Sequence, residues 1–359
     1  MPARYDGIGE APVRERLRMS RRELLAASAA GAMLLARPMV ARADTAAGSC
    51  IWGIGDMYAL DSTFATYCDH LETLLGRKFA GFRLNGGFQK TSPDFTEMHR
   101  MINAGRRYTY MNGKPSGTVT GYWQAVAGGV YDNKINAVIN TILADPSWTS
   151  TNPMHFSFHH EQYVKAEGGG ISAGTAQDFI AAYRHVRSLL DQANAHVSQG
   201  GNMVMCFSPH WRQYYHDPIY GIGGGTTAVQ PFVVSLCDPG SQYYDMLGVD
   251  MYNQAQYSFT AAAQWNPVAA FARTVDRPFL SAETGIAGSD AKVVTYLTDM
   301  NALFKSWGAG SGPGQVLGVC WTSRLAPSQR NSDFRIDATP ARLAQYTTMA
   351  NDPFYSLTV

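Results

Sequence analysis

Charge is scarce in this chain. Only 16% of its 359 residues are Asp, Glu, Lys or Arg, and the formal net charge is +1. No basic block occurs outside the N-terminus, which removes the electrostatic footprint of a nucleic-acid-binding protein. Low charge with 12% aromatics also excludes a disordered chain, which would show the reverse balance. Neither a Gly-X-Y repeat nor sustained heptads occur, so collagen and coiled-coil architectures are excluded. Cysteine is sparse: Cys50, Cys68, Cys206, Cys237 and Cys320, with no C-x-x-C or other metal-ligand spacing. No H-E-x-x-H helix motif is present, and no Gly-Lys-Ser/Thr follows the glycine-rich Gly221–Gly225 loop. These absences predict no metal and no cofactor. What the chain does have is 45% hydrophobic residues, 35 Gly, 19 Tyr, 16 Phe and 7 Trp.

The first 43 residues read as an address. Ser20-Arg21-Arg22-Glu23-Leu24-Leu25 is a twin-arginine pattern. An apolar run from Leu24 to Ala36 follows, then the A-x-A site Ala41-Arg42-Ala43. A basic region, a short apolar region and a small-residue site make a secretory signal, and the run is too short to span a bilayer. The expected division is residues 1–43 as leader and 44–359 as one domain. The leader holds eight of the 29 basic and four of the 28 acidic residues, so the remainder has 21 and 24 and a net charge of −3. A mildly acidic chain has no electrostatic reason to bind nucleic acid or anionic membranes. Export through the twin-arginine pathway to the periplasm or medium, as a monomer free of the membrane, is the expectation. An odd cysteine count leaves at least one thiol free there. A Cys50–Cys68 bridge, or one to Cys237, stays open, whereas Cys206 and Cys320 sit in apolar runs as small core residues.

Short apolar runs alternate with helical stretches. The predicted strands are Cys50–Ile54, Phe79–Asn85, Arg107–Met111, Met154–His160, Met203–Ser208, Leu247–Tyr252, Pro278–Glu283 and Gln315–Trp321. Helical periodicity between them includes Thr63–Leu75, Thr175–Ala195 and Ala291–Trp307. Eight β-then-α units over about 310 residues predict an α/β fold, a single (β/α)8 TIM barrel. An open doubly wound sheet is the rival, but no G-x-G-x-x-G follows the first strand. Alternation within the strands predicts which side chains face the lumen: Gly81, Arg83 and Asn85; His155, Ser157, His159 and Glu161; Gly248, Asp250 and Tyr252; Phe279, Ser281 and Glu283.

Glu161 ends the fourth predicted strand and Glu283 the seventh. Barrel enzymes carry their chemistry at the C-terminal ends of the strands. Two carboxylates across such a mouth suit glycoside hydrolysis, one as proton donor and one as nucleophile. The competing interpretation is structural, with each Glu paired to a lumen Arg such as Arg83.

Phe158-His159-His160-Glu161 resembles the fourth-strand motif of glycoside hydrolase family 26. Pro239-Gly240-Ser241-Gln242-Tyr243-Tyr244-Asp245-Met246-Leu247-Gly248-Val249-Asp250-Met251-Tyr252-Asn253 resembles the family's sixth-strand segment. Arg277-Pro278-Phe279-Leu280-Ser281-Ala282-Glu283-Thr284-Gly285 is similar to its nucleophile strand, and Gly318-Val319-Cys320-Trp321 to its eighth. The resemblance runs in order from about residue 50 to 325. It implies an endo-acting, retaining glycosidase on β-mannan, β-glucan or a related polysaccharide, with Glu161 as acid/base and Glu283 as nucleophile. Tyr252 would then hydrogen-bond the nucleophile, His160 would help set the acid/base environment, and Trp321 would floor the sugar site. Gln162-Tyr163 departs from the residues usual after the Glu.

Arg83 and Asn85 are expected to bind sugar hydroxyls or to brace Glu283, and Trp211 to wall the cleft. His155, His159 and His160 do not suggest a metal site, since adjacent strand residues face opposite ways. The alternative function is a non-catalytic carbohydrate-binding barrel of the cell envelope.

Overall fold

A computed structural model describes residues 50–55, 62–86, 95–113, 120–162, 173–223, 230–326 and 332–355. The leader and its cleavage site lie outside the described residues, as does Tyr163. Eight strands occur in chain order: β1 (Ile51–Gly55), β2 (Gly81–Gly86), β3 (Tyr108–Gly113), β4 (Met154–Phe158), β5 (Met203–Phe207), β6 (Met246–Asn253), β7 (Phe279–Ile286) and β8 (Val316–Thr322). All neighbours are parallel, and β8 pairs back onto β1, with Ile51 opposite Gly318 and Gly55 opposite Thr322. The sheet is therefore a closed (β/α)8 barrel. The helices used below are α1 (Ser62–Leu75), α2 (Thr96–Asn103), α3 (Tyr122–Ala127), α4 (Asp132–Ala144), α5 (Ala176–Gln192), α6 (Trp211–Tyr215), α7 (Val234–Cys237), α8 (Ala261–Thr274), α9 (Asp290–Trp307) and α10 (Pro340–Ala350). No described helix is long and apolar enough to cross a membrane.

The helix starts follow local chemistry. Thr175 caps α5 by accepting the Asp178 backbone N–H at 3.2 Å, and Asp178 accepts the Thr175 N–H at 2.7 Å. That reciprocal box satisfies two of the donors a helix start leaves open. Thr260, Ser289 and Thr339 cap α8, α9 and α10 with the one-way bond alone, each accepting a first-turn backbone N–H. The buried face of α5 carries Phe179, Tyr183 and Val186, at helical spacing. It packs on the outward side of β4 and β5: Phe179 lies 6.2 Å from Phe158 and Tyr183 lies 6.1 Å from Phe207.

Two corrections to simple alternation matter for the site. In β7 the pairing with β6 skips a residue: Val249 faces Ser281, and Asp250 faces Glu283, so Ala282 is bulged. Phe279 therefore points into the helix layer against Trp265 (6.0 Å) and Phe304 (6.0 Å), not into the lumen. Glu283 turns inward because the bulge resets the phase. At the end of β4 the strand stops at Phe158, and His159 and Glu161 take positive φ values of 49° and 55°. His159 leaves the lumen and accepts the Trp123 indole N–H on Nδ1 at 2.7 Å. His160 comes to the mouth, with Nε2 3.9 Å from Glu161 Oε2.

All five cysteines are buried as thiols outside any disulfide, so neither cysteine bridge left open above forms. The lumen is filled by large side chains, and glycine faces them. A Cβ on Gly248 would lie 2.0 Å from Ser208 Oγ and 2.6 Å from the Tyr110 hydroxyl.

Candidate active site

The C-terminal mouth gathers charge on a bed of aromatic and hydroxyl groups. Arg83 of β2 is 1% exposed. Its Nη1 donates to Asp250 Oδ1 at 2.6 Å, and its Nη2 lies 3.3 Å from Asp250 Oδ2 and 2.8 Å from Glu283 Oε1. The guanidinium also sits over the Tyr110 ring, 5.4 Å from its centroid. Tyr110 is in turn hydrogen-bonded to Ser208. From β6, the Tyr252 hydroxyl donates to Glu283 Oε2 at 2.6 Å. Thr322 of β8 lies 3.1 Å from the same tyrosine oxygen and can donate to it, leaving the phenol proton for Glu283. One oxygen of the Glu283 carboxylate thus accepts the phenol proton, and the other is ion-paired with the guanidinium.

Electrostatics follow from burial and crowding. Burial pulls the Arg83 guanidinium down, but Asp250 and Glu283 more than reverse this, and it stays a cation. Burial pushes Asp250 well above the usual carboxylate range; Arg83 opposes that, and Glu283 and Glu161 reinforce it. One cation is shared among several carboxylates, so they cannot all ionise freely. Burial and the adjacent Glu283 also raise Tyr252, which keeps it a phenol donor.

Glu161 is less enclosed, at 13% side-chain exposure against 1% for Glu283. Its backbone N–H donates to Ser208 at 3.0 Å, which ties the end of β4 to β5. His160 Nε2 lies 3.9 Å from Glu161 Oε2 and 3.9 Å from Asp250 Oδ2. His160, Asp250 and Glu283 bring potential ligand atoms within 4.8 Å of one another. The position between the two carboxylates is already taken by Arg83, so the cluster carries its own cation.

The expected tryptophans lie elsewhere. Trp321 has no exposed surface; it is wedged between Trp52 (5.3 Å) and Tyr346 of α10 (4.9 Å) in the layer outside the barrel. Its neighbour Thr322 is the residue that faces inward, as strand alternation requires. Trp321 therefore does not floor a sugar site. Trp211 is 2% exposed and packs against Phe259 at 5.0 Å and Tyr215 at 5.8 Å, beneath the rim. Asn85 is on β2 opposite Asn112, and its side chain lies outside the described residues. Asp250 and Thr322 were not singled out as site residues from sequence, although Asp250 shares the lumen face of Tyr252 two residues on. His210, which reaches Glu161 from the loop after β5, carries no comparable periodic signal.

No protein-family model and no curated protein sequence matches this chain. Solved structures do. The catalytic domain of a Bacillus sp. JAMB-750 GH26 endo-β-1,4-mannanase is 17% identical over 86% of each chain, with a TM-score of 0.53. A GH26 β-mannanase from Bacteroides ovatus is 13% identical over 86% of this chain and 90% of its own, at 0.55. A modular endo-β-1,4-mannanase from Cellulomonas fimi is 14% identical over 89% and 75%, at 0.54. At such identities the likeness establishes the fold: this chain has a glycoside hydrolase family 26-like (β/α)8 barrel.

Proposed function

We propose that the protein is a retaining glycoside hydrolase that cleaves a β-linked polysaccharide internally, with β-mannan first among the substrates and β-glucan or a related glycan next. The observation that carries this reading is the unequal treatment of two glutamates at one barrel mouth. Glu283 is buried, with a phenol on one oxygen and a guanidinium on the other. A hydrogen bond on one oxygen and an ion pair on the other stabilise a carboxylate, which suits a nucleophile. Glu161 is more open and has imidazole neighbours, which suits a group that must gain and lose a proton. The fold shared with mannanases supports the substrate class.

In the first step Glu283 attacks the anomeric carbon, and the bond to the leaving oxygen breaks as Glu161 protonates that oxygen. In the second, water attacks the glycosyl ester, Glu161 takes its proton, and the ester's electron pair returns to Glu283. Arg83 and Tyr252 hold the attacking carboxylate throughout.

The test is product analysis on β-mannan, mixed-linkage β-glucan, β-xylan and the host's own envelope glycans, with the anomeric form of the first product read by NMR. Retention is expected. Glu283→Ala should abolish hydrolysis in a folded protein. Glu161→Ala should lose about 10²- to 10⁴-fold on unactivated substrate and recover with azide or an activated leaving group. Activity surviving in Glu283→Ala would remove the nucleophile assignment. Binding without turnover across the panel would favour a carbohydrate-binding barrel.

We further propose export through the twin-arginine route, on the strength of the Arg21-Arg22 pattern and the A-x-A site at 41–43. Replacing both arginines by lysine should leave the protein in the cytoplasm with its leader attached. Unchanged export would remove the proposal.

A further inference from the structure

The reaction above leaves two buried imidazoles beside Glu161, His160 and His210, without a stated part. His210 stands between β5 and α6. Its backbone pairs with Asp250 of β6, and the Asp250 N–H reaches the Pro209 carbonyl at 3.4 Å. The His210 N–H donates to Gln213 Oε1 at 3.0 Å, and Gln213 Nε2 donates to the Phe232 carbonyl. On the ring, Nδ1 accepts the Arg212 backbone N–H at 3.2 Å. A ring nitrogen that accepts a hydrogen bond carries no proton, so the neutral ring holds its proton on Nε2. Nε2 faces Glu161 Oε1 at 3.9 Å, while His160 faces Oε2 at 3.9 Å.

We propose that His210 is a positioning residue for Glu161: it presents Nε2–H to Oε1 and stabilises the ionised carboxylate when Glu161 must take a proton from water. This rests on the glycosidase reading given above. The separation is about 1 Å beyond a hydrogen bond, and catalytic hydrogen bonds that are long in a ligand-free site commonly close when substrate binds. Among the described residues, the titratable and charged groups around Glu161 are His160, His210 and Asp250, with Arg83 and Glu283 behind Asp250.

Two variants separate this role from simple helix capping. His210→Asn keeps a strong cap acceptor for the Arg212 N–H but is too short to reach Glu161. His210→Gln gives up the cap and places an amide N–H near the former Nε2. His210→Asn should fold with near-normal stability and move the alkaline limb of kcat/KM upward by roughly half to one pH unit, because Glu161 stays protonated longer. On an activated aryl glycoside, where the second step limits, its kcat and KM should fall together by about tenfold. His210→Gln should lose stability yet keep the limb near its normal position. The opposite ranking, with Asn normal and Gln impaired in both respects, would reduce His210 to a cap and overturn the proposal.

A second measurement is independent of turnover. In protein carrying ¹³C-carboxyl glutamate, the resonance missing from Glu161→Gln should titrate at higher pH in His210→Asn than in wild type. Identical titration overturns the proposal even where hydrolysis is intact. If wild type hydrolyses no glycoside, the glycosidase reading falls, and the titration still decides whether His210 acts on Glu161.

Discussion

Glu283 owes its environment to three other strands. Arg83 reaches it from β2 and Tyr252 from β6, with Thr322 of β8 orienting the tyrosine. A hydrogen bond to a buried charge contributes about 1.5–3 kcal/mol. Tyr252→Phe removes one such bond without changing the ring's volume. We expect kcat/KM to fall roughly 10- to 150-fold, the same range converted to rate. The ring keeps its packing on Phe334 at 5.3 Å, so the fold should survive with a thermal midpoint lowered only by the lost hydrogen bond. Unchanged kinetics would separate Tyr252 from the reaction. Arg83 illustrates why a lumen arginine need not argue against chemistry. The brace expected of it is there, at 2.8 Å, and it holds a carboxylate in place while leaving the neighbouring Glu161 to a different set of groups.

At the level of elements, the bulge in β7 and the two positive φ values after β4 place the glutamates. Neither is visible in hydrophobic alternation. Alternation identified the lumen face of β2 and β6 correctly because those strands run regularly through Arg83 and through Asp250 and Tyr252. It failed at Phe279 and His159, where one extra residue or one left-handed residue exchanges the faces. Trp321, by contrast, follows regular alternation, since β8 turns Thr322 inward and Trp321 outward. It is part of the contact between β8, β1 and α10. Trp321→Phe should cost roughly 1–3 kcal/mol in denaturant unfolding and leave KM for the polysaccharide unchanged. A rise in KM at unchanged stability would return Trp321 to the cleft.

For the molecule as a whole, the barrel interior sets an acid limit on stability. His155 lies inside, stacked on Tyr108 at 4.0 Å and bonded through Nδ1 to the Thr109 carbonyl at 3.2 Å. Burial, opposed by that bond and by Asp245, lowers its pKa from 6.5 to about 4. The unfolded chain therefore binds this proton first as pH falls. The neutral ring's contribution is complete above the unfolded value and is lost as pH drops from about 6.5 through about 4. The loss is on the order of 3 kcal/mol. Urea midpoints measured between pH 7 and 4 should show this slope, and His155→Leu should flatten it. An equal slope in both proteins would place the acid sensitivity elsewhere.

The sequence by itself determined the architecture and the chemical types at the mouth. Eight apolar runs separated by capped amphipathic stretches leave one economical closure, and strand ends carrying Arg83, Glu161, Tyr252 and Glu283 must meet where those strands converge. The aromatic-rich composition is explained largely by the contact between barrel and helices, where rings such as Phe158, Phe179, Trp265 and Trp321 pack. Only the tertiary structure decided which group each oxygen of Glu283 meets, that His159 turns out of the lumen, and that His210 stands 3.9 Å from Glu161. Those outcomes depend on a bulge, on local backbone handedness and on a loop held by Gln213. Such features arise from contacts between distant strands and loops, so a periodic pattern along the chain carries no record of them.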